Sequence, residues 1–319
     1  MRKPLLFLLA CAVWLAGLAA IQRQAPDPDL AYRIVRMDAA MRAETVVMGG
    51  SAAIGIETQP FAPDAASIWN PEEDLFETVA QANLLLDRNQ RLTRIVLALT
   101  PPAHALDNGG SGSCCAPQRH TTYRMLRHYG DNALIDGDWR SALVSLVPTG
   151  EADWIGLLAQ VGLANGRSVQ RADAEALWLD RAMAARPAPE QNDEAIEARQ
   201  SEIASLAYRD PTIPDRVASA VSSLARRMDR RGGTLVIVAM PLDASLAGRI
   251  DGAAPDWNRG FADLLASARQ SGGTVLDLTR DPRLTSDTAG FSDPVHLNRS
   301  GARALTAVLE ERLIAGSVR

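Results

Sequence analysis

Five short apolar runs, separated by longer amphipathic stretches, constrain this chain more than any other feature. They read "ETVVMGG", "AASIWN", "TRIVLAL", "GTLVIVAMP" and "TVLDLT". Each is too short for a helix of ordinary length, and Gly, Pro or polar residues flank them. Between and after them lie "PEEDLFETVAQANLLLDRN", "IPDRVASAVSSLARRMDRRGG", "WNRGFADLLASARQSGG" and "RSGARALTAVLEERLIAG". Their apolar residues recur at helical spacing. Pro71 stands at the start of the first, with acidic residues in the first turn, as the helix dipole favours. In the last, Ala302, Leu305, Leu309 and Leu313 share one face. Buried strands alternating with such helices predict an α/β fold: a mostly parallel five-stranded sheet covered on both faces.

The middle of the chain breaks this alternation. From Ala103 to Asp210 no run reads as a strand. "HALDNGGSGSCCAPQ" is a Gly/Ser-rich loop. "TTYRMLRHYG", "WRSALVSLV", "ADWIGLLAQVGL", "ADAEALWLDRAMAA" and "QNDEAIEARQSEIASLA" read as helices. This helical insertion, residues 103–210, follows the third strand, and the carboxyl edge of an open α/β sheet is where active sites lie. Its expected role is a cap over the site or a docking surface for an envelope protein partner.

The chain opens with "MRKPLLFLLACAVWLAGLAAIQRQ". Arg2 and Lys3 precede an uncharged, mostly apolar run of about 18 residues, the short end of a membrane span. The positive charges would keep that end in the cytoplasm and export the rest. The expectation is an anchor at 1–22 in the inner membrane, a spacer at 23–43 leading into a short helix, and a periplasmic body at 44–319. Gly17-Leu18-Ala19 offers a cleavage site that would give a secreted form. "LLAC", ending at Cys11, is similar to a lipoprotein box, but Leu9 is large for that motif and the apolar run continues past the cysteine.

The formal net charge of -5 argues against a nucleic-acid partner, since phosphate binding needs a basic face. Cys114 and Cys115 are adjacent, so they bridge each other only in a strained ring, bridge another chain, or stay as loop thiols. Two cysteines make no metal site alone.

The chemistry-bearing residues lie at opposite ends of the body. "VVMGGSAAIGI" takes the first strand into a Gly-Gly-Ser turn with Ser51 at its tip. "FSDPVHLNRSGARAL" places Asp293 and His296 three apart, immediately before the last helix. In so short a turn a carboxylate reaches the imidazole Nδ1, fixes the tautomer and leaves Nε2 to take a proton from a hydroxyl. Asn298 or Ser300 can cap the helix, and Gly301 permits close packing near its start. Parallel strands ending at one edge can bring Ser51 and His296 together.

These two blocks resemble the first and last blocks of the SGNH, or GDSL-like, hydrolase superfamily. The resemblance covers about 44–98 and 234–314. It implies a flavodoxin-like three-layer α/β/α fold with Ser51 as nucleophile, His296 as base and Asp293 as its orienter. It implies no cofactor and no metal. Two departures stand out. G-D-S is G-G-S here, with Gly50 in the Asp position. The third block, G-x-N-D, is missing after "LALTPPAHAL". The oxyanion donors would then be the Ser51 N–H and, in "SIWNP", Asn70, whose other reading is a turn residue before Pro71. The implied activity is an exported serine esterase or O-acyltransferase. Its substrate would be an ester-bearing envelope glycan or a related small molecule. The alternative is a catalytically impaired binding or assembly protein on the same fold.

Other residues read as structural. His104, His120 and His128 are expected in solvent, and Asp277 as a turn cap. Trp69, Trp139, Trp154, Trp178 and Trp257 are expected to be packing residues.

Overall fold

The computed structural model describes residues 28–58, 62, 64–70, 72–109, 113, 115–146, 210–253, 255–286 and 288–316, with the isolated positions 13, 17, 193, 194, 197 and 198. The expected anchor, apart from Val13 and Gly17, lies outside the described residues. So do the last three expected helices of the insertion, apart from four isolated positions. Among the described residues no helix is long and apolar enough to cross a membrane.

The chain divides into two compact units: Met1–Val35 with Asn108–Ala174, and Arg36–Asp107 with Glu175–Arg319. The second contains the sheet. Five strands, β1 (Thr45–Gly49), β2 (Ala65–Trp69), β3 (Arg94–Leu99), β4 (Thr234–Ala239) and β5 (Thr274–Asp277), pair in parallel in the order β2-β1-β3-β4-β5. All five expected strands are present. Val46, Val47, Ile95, Leu97, Ile237 and Val238 are fully buried, which explains why the central strands read as continuous apolar runs.

Helices connect and cover them. They are α1 (Pro28–Ala40), α2 (Leu75–Arg88), α3 (Ala116–His128), α4 (Trp139–Val144), α5 (Ile213–Arg230), α6 (Ala244–Ala253), α7 (Pro255–Gln270), α8 (Pro282–Thr285) and α9 (Arg299–Gly316). From β2 onward each connection moves the same way along the sheet. Right-handed crossovers therefore put α2, α5 and α7 on one face. The chain steps the opposite way from β1 to β2, and α9 packs with the turn after β1, covering the other face. The result is the flavodoxin-like three-layer arrangement.

Two local expectations are corrected. α2 starts at Leu75, not at Pro71, because Asp74 and Glu77 form a reciprocal capping box: each side chain accepts from the other's backbone N–H. And α6 has no counterpart in the pattern reading, since Gly248 and Gly252 weaken its helical signal. A two-stranded antiparallel hairpin, β6 (Phe291–Asp293) and β7 (His296–Leu297), also escaped that reading.

The first unit contains α3, α4 and the start of α1. Arg33 is fully buried and donates to Asp29 (3.2 Å), Thr122 Oγ1 (3.0 Å) and Gln118. Tyr129 OH donates to the Ile34 carbonyl at 2.9 Å. Arg127 donates to the Ser145 carbonyl at 3.0 Å, tying α3 to the end of α4.

Candidate active site

β1 ends in two glycines, and the space around each shows why. Gly49 has φ +141°, and a Cβ there would lie 2.6 Å from the Ala98 carbonyl oxygen. A Cβ on Gly50 would lie 3.3 Å from the Glu73 carbonyl oxygen. The chain then enters a short 3-10 turn, Ser51–Gly55, whose hydrogen bonding begins with Ala53 N–H to the Gly50 carbonyl at 3.0 Å. Ser51 N–H precedes that first bond, as amides do at any helix start. β1 lies between β2 and β3, where the chain's direction across the sheet reverses. Ligands bind at that point in open α/β sheets.

The β6–β7 hairpin brings the other two groups. Ser51 Oγ lies 2.6 Å from His296 Nε2, and His296 Nδ1 lies 2.6 Å from Asp293 Oδ2. Asp293 Oδ1 accepts the N–H groups of Val295 (2.9 Å) and His296 (3.0 Å), so the carboxylate is fixed by its own turn. With Asp293 accepting at Nδ1–H, Nε2 is the basic nitrogen facing the serine. The side chains of His296 and Asp293 are 25% and 38% exposed, leaving the group open to a substrate.

Several contacts hold the hairpin in place. Phe291 is fully buried. Val295 packs in a cluster with Ala105, Leu242, Leu246, Ala247 and Ile250. Pro294 C=O accepts the Asp243 N–H at 3.0 Å. Asn298 caps α9: its Oδ1 accepts from Ser300 N–H (3.0 Å) and Gly301 N–H (3.2 Å). Its Nδ2 donates to the carbonyls of Ala289 (2.5 Å) and Phe291 (3.3 Å). Gly301 meets the expectation of close packing, since a Cβ there would lie 2.0 Å from the Gly290 carbonyl oxygen. The Ser51 turn is tied to α9 by Glu57 N–H donating to Thr306 Oγ1 at 3.1 Å.

Asn70 is buried beside Gly50. Its backbone N–H donates to Gly49 C=O (3.4 Å), and its carbonyl accepts the Glu73 N–H (3.4 Å). Its side-chain amide donates to the Glu73 carboxylate, which also accepts from Thr78 Oγ1 (2.8 Å) and Gln81 Nε2 (2.7 Å). Glu72, inside this turn, has φ +59°, a left-handed conformation that costs energy for a residue with a side chain. Glu73 was hidden among the acidic residues of "PEED". It is turned inward rather than serving the helix dipole.

The histidines of the insertion behave differently from one another. His128 is exposed and His120 is half-buried. His104, expected in solvent, is buried: its Nδ1 lies 2.5 Å from the Pro101 carbonyl and its ring is tilted against Phe261 at 5.9 Å. Burial pushes its pKa below the ordinary histidine value, outweighing the Pro101 hydrogen bond. Asp277 caps a turn, accepting from Thr279 N–H and Oγ1. Trp69 is buried, as a packing residue should be, whereas Trp139 is exposed. Trp154, Trp178, Cys11 and Cys114 lie outside the described residues, as does the side chain of Trp257. Among the described residues no group of His, Cys, Asp and Glu is arranged to hold a metal ion.

No family model and no curated protein matches this sequence. Seven chains among solved structures match its structure. One, a Bacteroides fragilis protein described as a "putative acylhydrolase", is similar over 86% of this chain and 88% of its own, with 9% identity and a TM-score of 0.40. A likeness that slight bears on neither substrate nor mechanism.

Proposed function

We propose that this chain is a serine esterase or O-acyltransferase of the SGNH type, acting on an ester-bearing molecule of the cell envelope. The observation that carries the reading is the relay Ser51–His296–Asp293, with 2.6 Å at each link. In it, Ser51 Oγ attacks the ester carbonyl while His296 Nε2 takes the hydroxyl proton. The same proton then goes to the departing alkoxide, leaving an acyl-Ser51. Water or a sugar hydroxyl, deprotonated in turn by His296, attacks the acyl group, and His296 returns that proton to Ser51 Oγ as the ester bond to the serine breaks. Asp293 holds the imidazole and stabilises its charged form. The Ser51 N–H and the second N–H of the Asn70 amide are the donors assigned to the developing oxyanion. The insertion, entering the chain directly after β3, is assigned the choice of acceptor. The apolar run at 1–22 is assigned the role of an export signal and anchor.

A second reading has its own support. The Asn70 amide already serves Glu73, and a site with a weak oxyanion hole would suit a binding or assembly protein that has lost catalysis. Losing one oxyanion donor typically costs about 100-fold to 1000-fold in rate. A fluorophosphonate probe separates the two. The enzyme reading expects rapid labelling of the full chain, abolished in Ser51→Ala and slowed about 10,000-fold in Asp293→Asn. A wild-type protein that resists the probe while folded would favour the binding reading.

A further inference from the structure

Large apolar side chains exposed to solvent are unevenly distributed. Among the described residues every one falls within Met1–Val35 or Asn108–Ala174, the first unit, and none in the unit that carries the sheet. Most of them are in one segment. Leu134 precedes α4, and Trp139, Leu143 and Leu146 recur four and three residues apart, the spacing of one helical face. Trp139 is 58% exposed and Leu143 57%. Patches of this kind on soluble proteins mark interaction sites.

The surroundings of the patch narrow the choice of partner. The Arg140 guanidinium lies over the Trp139 ring, 5.5 Å from its centre. Arg140 is exposed, and the adjacent α3 adds the half-buried Arg124 and Arg127, both bonded to Ser145, while its Arg119 is fully buried beside Asp138. Tryptophan and leucine beside arginine is the composition of helices that lie in a lipid headgroup region, with the ring at the interface and the cations on lipid phosphates.

Chain connectivity points the same way. Arg33 and Ile34 of α1 are bonded to Gln118, Thr122 and Tyr129 of α3, so α1 and α3 move together. The apolar run ends at Ile21, and six residues separate it from Pro28, where α1 begins. Seven extended steps span at most about 25 Å. Within the run, Val13 is helical and 65% exposed, and nothing among the described residues lies within 4 Å of a Cβ built on Gly17. A run inserted in a bilayer would therefore keep this unit within a short tether of the surface.

We propose that the apolar face formed by α4 and the turn after it, centred on Trp139, Leu143 and Leu146, docks on an anionic lipid bilayer. The proposal rests on the anchored reading of residues 1–22 and is independent of the esterase chemistry. The full chain is reconstituted in vesicles of phosphatidylcholine and phosphatidylglycerol at 3:1, with plain or brominated acyl chains, and tryptophan emission is recorded. Trp14→Phe removes the emitter inside the run itself. In that background brominated lipid should quench emission, and adding Trp139→Phe should remove most of the quenching. Vesicles lacking phosphatidylglycerol should lower it. Quenching unchanged by Trp139→Phe would overturn the docking surface. So would shielding of Trp139 from both bromine and aqueous acrylamide, which would indicate a protein cover instead. Wild-type emission no more quenched than that of Trp14→Phe would remove the anchor, and the proposal with it. The fluorophosphonate result on Ser51 would stand in either case.

Discussion

Asn298 does two jobs with one amide. Its oxygen caps α9, and its nitrogen holds two carbonyls, Ala289 just before β6 and Phe291 at the start of that strand, which ends at Asp293. Asn298→Asp separates the jobs, because a carboxylate still accepts from Ser300 and Gly301 but sets an oxygen against two carbonyls. Asn298→Ala loses both. The alanine variant should lose about 1 kcal/mol or more from the cap alone. If the strap positions His296, both variants should slow probe labelling of Ser51. The scale is on the order of 100-fold, as a misplacement of about 1 Å can cause. Wild-type labelling in a folded Asn298→Asp protein would show that the strap is dispensable. The Ser51 and D-x-x-H positions were legible in the sequence because each side chain sits beside an unmistakable local signal, a strand-ending Gly-Gly or a helix start. The strap was not legible, since its partners are backbone carbonyls of any residue type. Nor was Glu73, whose inward turn depends on Thr78 and Gln81 one and two turns into α2.

At the scale of elements, what was readable follows from length and symmetry of environment. Strands buried on both faces leave apolar runs, and amphipathic helices leave periodicity. β6 and β7, at three and two residues, are too short to leave either. Their placement comes instead from contact with α9. Gly301 is the closest point, because a Cβ there would lie 2.0 Å from the Gly290 carbonyl oxygen and 2.9 Å from a Leu297 methyl. Backbone cannot move aside as a side-chain tip can. Gly301→Ala should therefore push α9 off the hairpin, at about 1–3 kcal/mol by analogy with overpacked cores. The urea midpoint should fall, and probe labelling should fall further than stability alone explains. An unshifted midpoint would mean the helix start accommodates the methyl without strain.

For the whole molecule, His104 couples folding to pH. Its folded-state pKa is lowered by burial from the ordinary 6.5. Below pH 6.5 the unfolded chain binds a proton that the folded chain refuses, down to the lowered folded value. Stability is thus undiminished above pH 6.5 and falls as pH drops through that window. His104→Asn keeps an N–H for the Pro101 carbonyl but has nothing to titrate. Urea unfolding at pH 7.5 and 5.5 should show a smaller loss of stability on acidification in this variant than in the wild type. Equal losses would place the acid sensitivity elsewhere. The contrast with His128, exposed only two dozen residues later in a similar-looking stretch, is a tertiary effect. Phe261, from α7, packs on the one, whereas the other meets only the edge-on ring of its chain neighbour Tyr129 at 5.1 Å among the described residues and stays exposed.

The two halves of the relay stand 245 positions apart. A ribosome adding about 5–20 residues each second would take roughly 12–50 s between making the serine and making its base. For all that time the emerging polypeptide holds an inert hydroxyl. A product cut short before residue 293 would stay inert permanently, however well its five-stranded sheet assembled. If the chain is threaded across a membrane as it is made, any reactivity begins only on the far side, after nearly everything has arrived.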